Sequence, residues 1–160
     1  MNTNPATVNN EIIDLDLSVT KKKKVRFDHD DTRIVELNTS DMGIIGRVSE
    51  TIPKLQELRE RAANLSVGIA DDTDNIEDMK ILGDRLKEID KDMRSYIDYM
   101  FDADVSSKAA PSGSMYDPFN GTFRYDYIIT ALIGQYENNL KEEYKKLQKQ
   151  VDSHTGKYVK

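Results

Sequence analysis

Few residues of this chain carry reactive side chains, and most of those are aspartates. Asp28, Asp30 and Asp31 flank His29, and a second acidic group lies at 71–74. A histidine beside carboxylates can act as a general base, and clustered aspartates can bind a cation. Neither group has the distal glutamate of an EF-hand loop, and no nucleophile motif accompanies the histidine. We therefore interpret the groups as a hairpin turn and a helix cap, and predict no catalytic residue, metal site or cofactor.

The composition excludes several classes of protein. The 160 residues include no cysteine and only two histidines, so a disulfide scaffold, a thiolate zinc site and a cysteine nucleophile are excluded. The net charge of −6 disfavours direct binding to nucleic acid. No apolar run approaches the roughly 20 residues of a membrane-spanning helix, and the N-terminus does not resemble a secretory signal. We expect one cytoplasmic domain that does not contact a membrane.

The apolar pattern predicts an α+β fold, mostly α. Apolar and polar residues alternate over 11–38, which predicts an antiparallel hairpin of 23–28 with 33–38. The segment 11–19 has the same alternation and is a candidate third strand, which would make the hairpin a small meander. The polar residues 1–10 are predicted to be disordered.

A helical domain is predicted over 40–155. Apolar spacings of three and four residues predict helices at 40–68, 73–103 and about 124–152. The apolar stripe of the first helix begins at Ile45, and Pro53 predicts a kink or break near 49–52 because it lacks an amide hydrogen. A long loop is predicted at 104–123, and 156–160 form a tail.

Two apolar features could bind a partner. The last helix has a near-heptad seam from Ile133 to Val151, which packs on a helix of this chain or of another protein. The aromatic residues of the long loop either clamp the helices together or anchor a partner. The candidate partner-binding residues are Tyr116, Phe119 and Phe123 in the loop and Tyr136, Leu140, Tyr144 and Leu147 in the seam.

Charge is unevenly distributed along the chain. Residues 68–104 hold twelve acidic against five basic side chains, a net charge of −7, whereas 141–160 have a net charge of +3. This asymmetry could set helix pairing or steer association between copies, so self-association stays open. The basic run 21–26 either protects an exposed strand edge or contacts an acidic partner. An alternative acidic binding surface consists of Asp84, Glu88 and Asp92.

The order of segments resembles the tail assembly chaperone-like proteins of tailed phages and prophages of Gram-positive bacteria. The resemblance rests on the β-rich start from Ile12 to Leu37, the segment 37–41 leading into a helix, and the stretch Ala-Pro-Ser-Gly-Ser-Met-Tyr-Asp-Pro-Phe-Asn-Gly at 110–121. It implies a non-enzymatic viral protein that binds the helical tape-measure protein, or the tail tube protein, during virion assembly. That protein would act in the cytoplasm of the bacterial host.

Two other functions stay open. A small acidic phage protein can inhibit a bacterial defence system, as an anti-CRISPR does, by presenting carboxylates where a host defence protein binds phosphates. The chain could also be a structural virion protein whose sheet pairs with that of a neighbour.

Overall fold

The structure is a computed structural model that describes residues 11–17, 22–71 and 76–156, with their side chains except at 66–71 and 153–156. Its elements are β1 (Lys22–Arg26), β2 (Ile34–Asn38), α1 (Gly43–Asp71), α2 (Ile76–Phe101), α3 (Val105–Ala109), β3 (Pro118–Phe119), β4 (Thr122–Phe123) and α4 (Arg124–Gly156). The prediction of a mostly α, α+β fold with an N-terminal antiparallel hairpin is confirmed. Within the described ranges, no helix is both long and apolar enough to cross a membrane.

The hairpin turns at the first aspartate group. Asp28 and His29 have left-handed φ angles of 51° and 58°, and the Asp30 amide donates to the Phe27 carbonyl oxygen over 3.0 Å. A second turn follows directly, because the Arg33 amide donates to the Asp30 carbonyl oxygen over 3.0 Å. Asp and His are among the residue types that tolerate left-handed φ angles, and the two turns together connect Arg26 to Ile34. The hairpin-turn interpretation of this group is therefore confirmed.

The two strands present one apolar face to the helices. Val25 lies opposite Val35, and both pack into the core together with Leu37. The candidate third strand is absent over 11–17, which form neither strand nor helix, and residues 18 and 19 lie outside the described ranges. Alternation indicates that a segment can present an apolar face, but it does not specify the strand edge with which the segment pairs.

α1 and α2 form an antiparallel pair. The Arg47 Nε donates to the Met100 carbonyl oxygen over 2.9 Å, which joins the start of α1 to the end of α2. α1 begins three residues later than predicted because Asp41 caps it, its carboxylate accepting a hydrogen bond of 2.8 Å from the Gly43 amide. The predicted cap of α2 is wrong at Asp71, which ends α1, and 72–74 lie outside the described residues.

α1 continues through Pro53, so of the kink or break predicted near 49–52 the break does not occur. Proline removes one helical hydrogen bond, but Leu55, two residues further on, is fully buried. Burial of the Leu55 side chain holds the helix on the core and offsets the lost bond.

The first half of α4 completes the core. It runs antiparallel to α1. Arg59 of α1 lies over the Phe123 ring (5.4 Å) just before α4 begins, and Asn139 of α4 donates to the Ser40 hydroxyl just before α1 begins, over 3.1 Å. It ends beside Phe101 of α2, whose ring centroid lies 5.9 Å from that of Tyr136. The buried residues of α4 are Tyr125, Ile128, Ile129, Leu132 and Tyr136.

Candidate partner-binding surface

The apolar seam of α4 divides into a buried half and an exposed half. Tyr136 is buried with only 2% of its surface exposed, and Leu140 is half-buried. One turn further, Tyr144 is 66% exposed, and Leu147 and Val151 are similarly open. The seam therefore packs within this chain as far as Leu140 and is available to a partner beyond it.

The start of α1 extends this exposed half. Met42 and Ile45 are exposed and, with Leu140 and Tyr144, line an almost wholly apolar groove of about 510 Å³. We call these four residues, with Leu147 and Val151, the seam surface. The prediction that the core stripe of α1 starts at Ile45 is wrong, because its neighbour Ile44 is the buried residue. Helical spacing alone does not determine which of two adjacent apolar residues in the first turn is buried. The sequence therefore did not identify Met42 and Ile45 as surface residues.

Lysines lie along one side of the seam surface. Lys141 and Lys145 line the groove. Glu142 and Glu143 offset part of this charge, and Glu143 pairs with Lys146 at 3.4 Å. A helical partner with an apolar stripe and acidic residues on one side of it would complement this surface in both shape and charge.

The loop aromatics mainly clamp the fold. The Tyr116 hydroxyl donates to the Leu86 carbonyl oxygen of α2 over 3.4 Å. Phe123 stacks on Tyr125 with ring centroids 6.1 Å apart, and both Tyr116 and Phe123 pack against the core. Of the three candidates, only Phe119 is exposed, and its ring lies edge-on to that of Tyr127 at 4.9 Å.

The segment predicted as a long loop is ordered by α3, β3, β4 and a polar network. Arg94 of α2 donates to the carbonyl oxygens of Ser106, Ala110 and Gly113 at 2.8–3.2 Å and pairs with Asp90 at 2.8 Å. Ala110 is buried and follows the end of α3, and a buried carbonyl group outside regular structure needs such a donor. The arginine therefore replaces the hydrogen bonds that a longer helix or sheet would have supplied.

The alternative acidic surface is mixed in charge. Asp84, Glu88 and Asp92 recur every four residues and therefore form an exposed row along one face of α2. The exposed basic residues Arg85, Lys87 and Lys91 lie beside this row, so the acidic surface lacks the uniform negative charge of a phosphate backbone.

The residues first considered for catalysis lie in the hairpin turn. His29 is exposed in the hairpin turn. Asp30 accepts hydrogen bonds from the Thr32 hydroxyl (2.7 Å) and amide (2.9 Å), and these bonds lower the pKa of its carboxyl group. Among the described residues, no three carboxylate or imidazole side chains are grouped to hold a metal ion.

No protein-family model, curated protein sequence or solved structure matches this chain. The seam surface, its flanking lysines and the clamped loop therefore provide the structural basis for a functional proposal.

Proposed function

We propose that this protein is a non-enzymatic assembly chaperone that holds an amphipathic helix of another protein on the seam surface. The observation that carries the proposal is the exposure of Tyr144, Leu147 and Val151, which continue the core seam of α4 into solvent. Large apolar side chains at helical spacing are a common docking surface for a partner helix. From Leu140 to Val151 the surface extends about 16 Å along α4, roughly three turns.

The chemistry of the surface defines the partner. It would be a helix with apolar anchors three and four residues apart and with acidic residues on the side that faces Lys141 and Lys145. The resemblance to tail assembly chaperones supplies the candidate: a phage tape-measure protein, whose long helices are unprotected before the tail tube encloses them. Covering these helices would keep them soluble in the host cytoplasm, and the net charge of −6 would add repulsion between complexes.

The test is capture of partners from cells that express the rest of the phage tail gene cluster, with the tagged full chain and read-out by mass spectrometry. We expect a long helical protein to be recovered. A double change of Tyr144→Ser and Leu147→Ser should weaken its binding about tenfold or more, because two large apolar contacts are lost. Both side chains are exposed, so the variant should fold normally.

The matched control replaces the acidic surface by Asp84→Asn, Glu88→Gln and Asp92→Asn. This variant should bind as the natural chain does, and binding should depend only weakly on salt. If the acidic variant instead loses binding, affinity falls steeply with salt, and a host defence protein is recovered, the inhibitor hypothesis replaces the chaperone. Recovery of the chain in purified virions would favour the structural protein.

A further inference from the structure

The segment 11–17, Glu-Ile-Ile-Asp-Leu-Asp-Leu, presents four large apolar side chains to solvent. Ile12, Ile13, Leu15 and Leu17 are between 73% and 92% exposed. A group of this kind on a protein surface marks an interaction site. From Ile13 to Leu17 apolar and acidic residues alternate, so an extended conformation gives the segment one apolar face and one acidic face.

A groove beside β1 has the lining that such a strand needs. α3 lies beside β2, and Arg33, immediately before β2, donates two hydrogen bonds of 2.7 Å to carbonyl oxygens of α3. In the described ranges β1 pairs with β2 alone, and its other edge borders a groove of about 440 Å³. The α4 side chains lining it include Ile128, Ala131 and Leu132, which form an apolar floor. A strand placed there would find backbone partners on one side and apolar contacts below.

The side-chain pattern selects one antiparallel register for that strand. With Leu15 opposite Val25, Ile13 and Leu17 lie on the same face as both, over the apolar floor. A slip by one residue would turn all three apolar side chains of the segment to solvent and place its aspartates on the floor.

The same register pairs opposite charges on the outer face. Asp16 then lies opposite Lys24, and Asp14 lies opposite Arg26. Lys22, Lys24 and Arg26 are all exposed on β1. Lys24 and Arg26 already pair with Glu36 (3.8 Å) and Asp31 (2.7 Å) of the same chain, so the two aspartates of the segment would join these ion pairs. The basic edge and the acidic segment are therefore complementary in charge.

The connecting sequence favours a second copy as the source of the strand. To fill its own groove, the chain would have to reverse direction over 18–21, whose sequence Ser-Val-Thr-Lys contains no Gly, Asn, Asp or Pro. Two of these residues are β-branched and resist the left-handed conformations of tight hairpin turns. We propose that two copies of this chain exchange segment 11–17, each adding a strand to the β1 edge of the other with two-fold symmetry. The exchange uses no residue of the seam surface, so it is independent of the proposed function.

The experiment exploits the absence of natural cysteines. Chains carrying Leu15→Cys and chains carrying Val25→Cys are mixed under mild oxidation and separated on a non-reducing gel. Directly opposite residues of antiparallel strands have Cα atoms about 4.5–5.5 Å apart, within the range of a disulfide. We expect a disulfide-linked dimer in the mixture. The matched control, Asp14→Cys mixed with Val25→Cys, places the two sulfurs on opposite faces and should not form a dimer.

The double variant Leu15→Cys/Val25→Cys distinguishes the alternatives. A disulfide within one chain, with no dimer in the mixture, would show that the segment fills its own groove and would overturn the exchange. Absence of a disulfide in both experiments would show that the segment does not bind there.

Light scattering provides a measurement without cysteines. The unmodified chain should have the mass of a dimer, and Leu15→Asp should raise the dimer dissociation constant about a hundredfold, because both copies lose a leucine contact. A purely monomeric unmodified chain at about 100 μM would overturn the proposal.

Discussion

Tyr136 is buried, and in the described part of the chain its hydroxyl has no hydrogen-bond partner. A buried hydroxyl without a partner costs about 1–3 kcal/mol, because its hydrogen bonds to water are lost and not replaced. Tyr136→Phe removes this group and keeps the ring beside Phe101. We therefore expect this substitution to raise the free energy of unfolding by about 1 kcal/mol at neutral pH.

The advantage of the variant should grow in alkali. Burial raises the pKa of Tyr136 from 10.0 to about 12. The unfolded chain therefore releases this proton at lower pH than the folded chain, so the natural protein loses stability as the pH rises from 10 towards 12. The phenylalanine variant has no proton to lose at this position. The difference in unfolding free energy should thus widen by about 1.4 kcal/mol at about pH 11.

Urea unfolding, monitored by circular dichroism at neutral pH and at about pH 11, measures the difference in unfolding free energy between variant and natural chain at each pH. The matched control is Tyr144→Phe, because Tyr144 lies two turns further along α4 and is largely exposed. Its unfolding free energy should stay within about 0.5 kcal/mol of that of the natural chain. A destabilised Tyr136→Phe variant would refute the reasoning, since the hydroxyl would then have a partner that stabilises the fold. If the difference in unfolding free energy between the Tyr136→Phe variant and the natural chain is the same at alkaline and neutral pH, burial does not raise the pKa of Tyr136.

Two further predictions concern the segment between α2 and α4. Arg94→Ala should lower the unfolding free energy by about 2 kcal/mol, because the buried Ala110 carbonyl loses its donor and Asp90 loses its ion-pair partner. Arg85→Ala, at an exposed position of the same helix, should have little effect, and equal effects in urea unfolding would contradict the clamp. Gly113→Ala should lower the unfolding free energy by about 1 kcal/mol more than Gly121→Ala does, although both glycines have φ near 80°. An added methyl group meets the Arg124 guanidinium at the first position and open space at the second, so equal losses of unfolding free energy would exclude crowding as the cause.

Local patterns were sufficient to predict the helices and the hairpin. Spacings of three and four residues placed α1, α2 and α4 to within a few residues, because the side chains on one face of a helix recur at that interval. The hairpin turn was predictable for a similar reason, since Asp28 and His29 belong to the residue types that tolerate left-handed φ angles. Neither inference required knowledge of distant contacts.

The seam of α4 marks the limit of such inference. Its spacing is regular from Ile133 to Val151, yet Tyr136 is core and Tyr144 is surface. The difference arises because α4 passes Phe101, at the end of α2, and then the start of α1, beyond which it outruns both helices. Periodicity reports that a face is apolar, whereas the lengths and crossing points of the neighbouring helices determine whether that face is covered. The contacts of Arg94 depend in the same way on residues brought together by folding, so its role as a clamp became visible only in three dimensions.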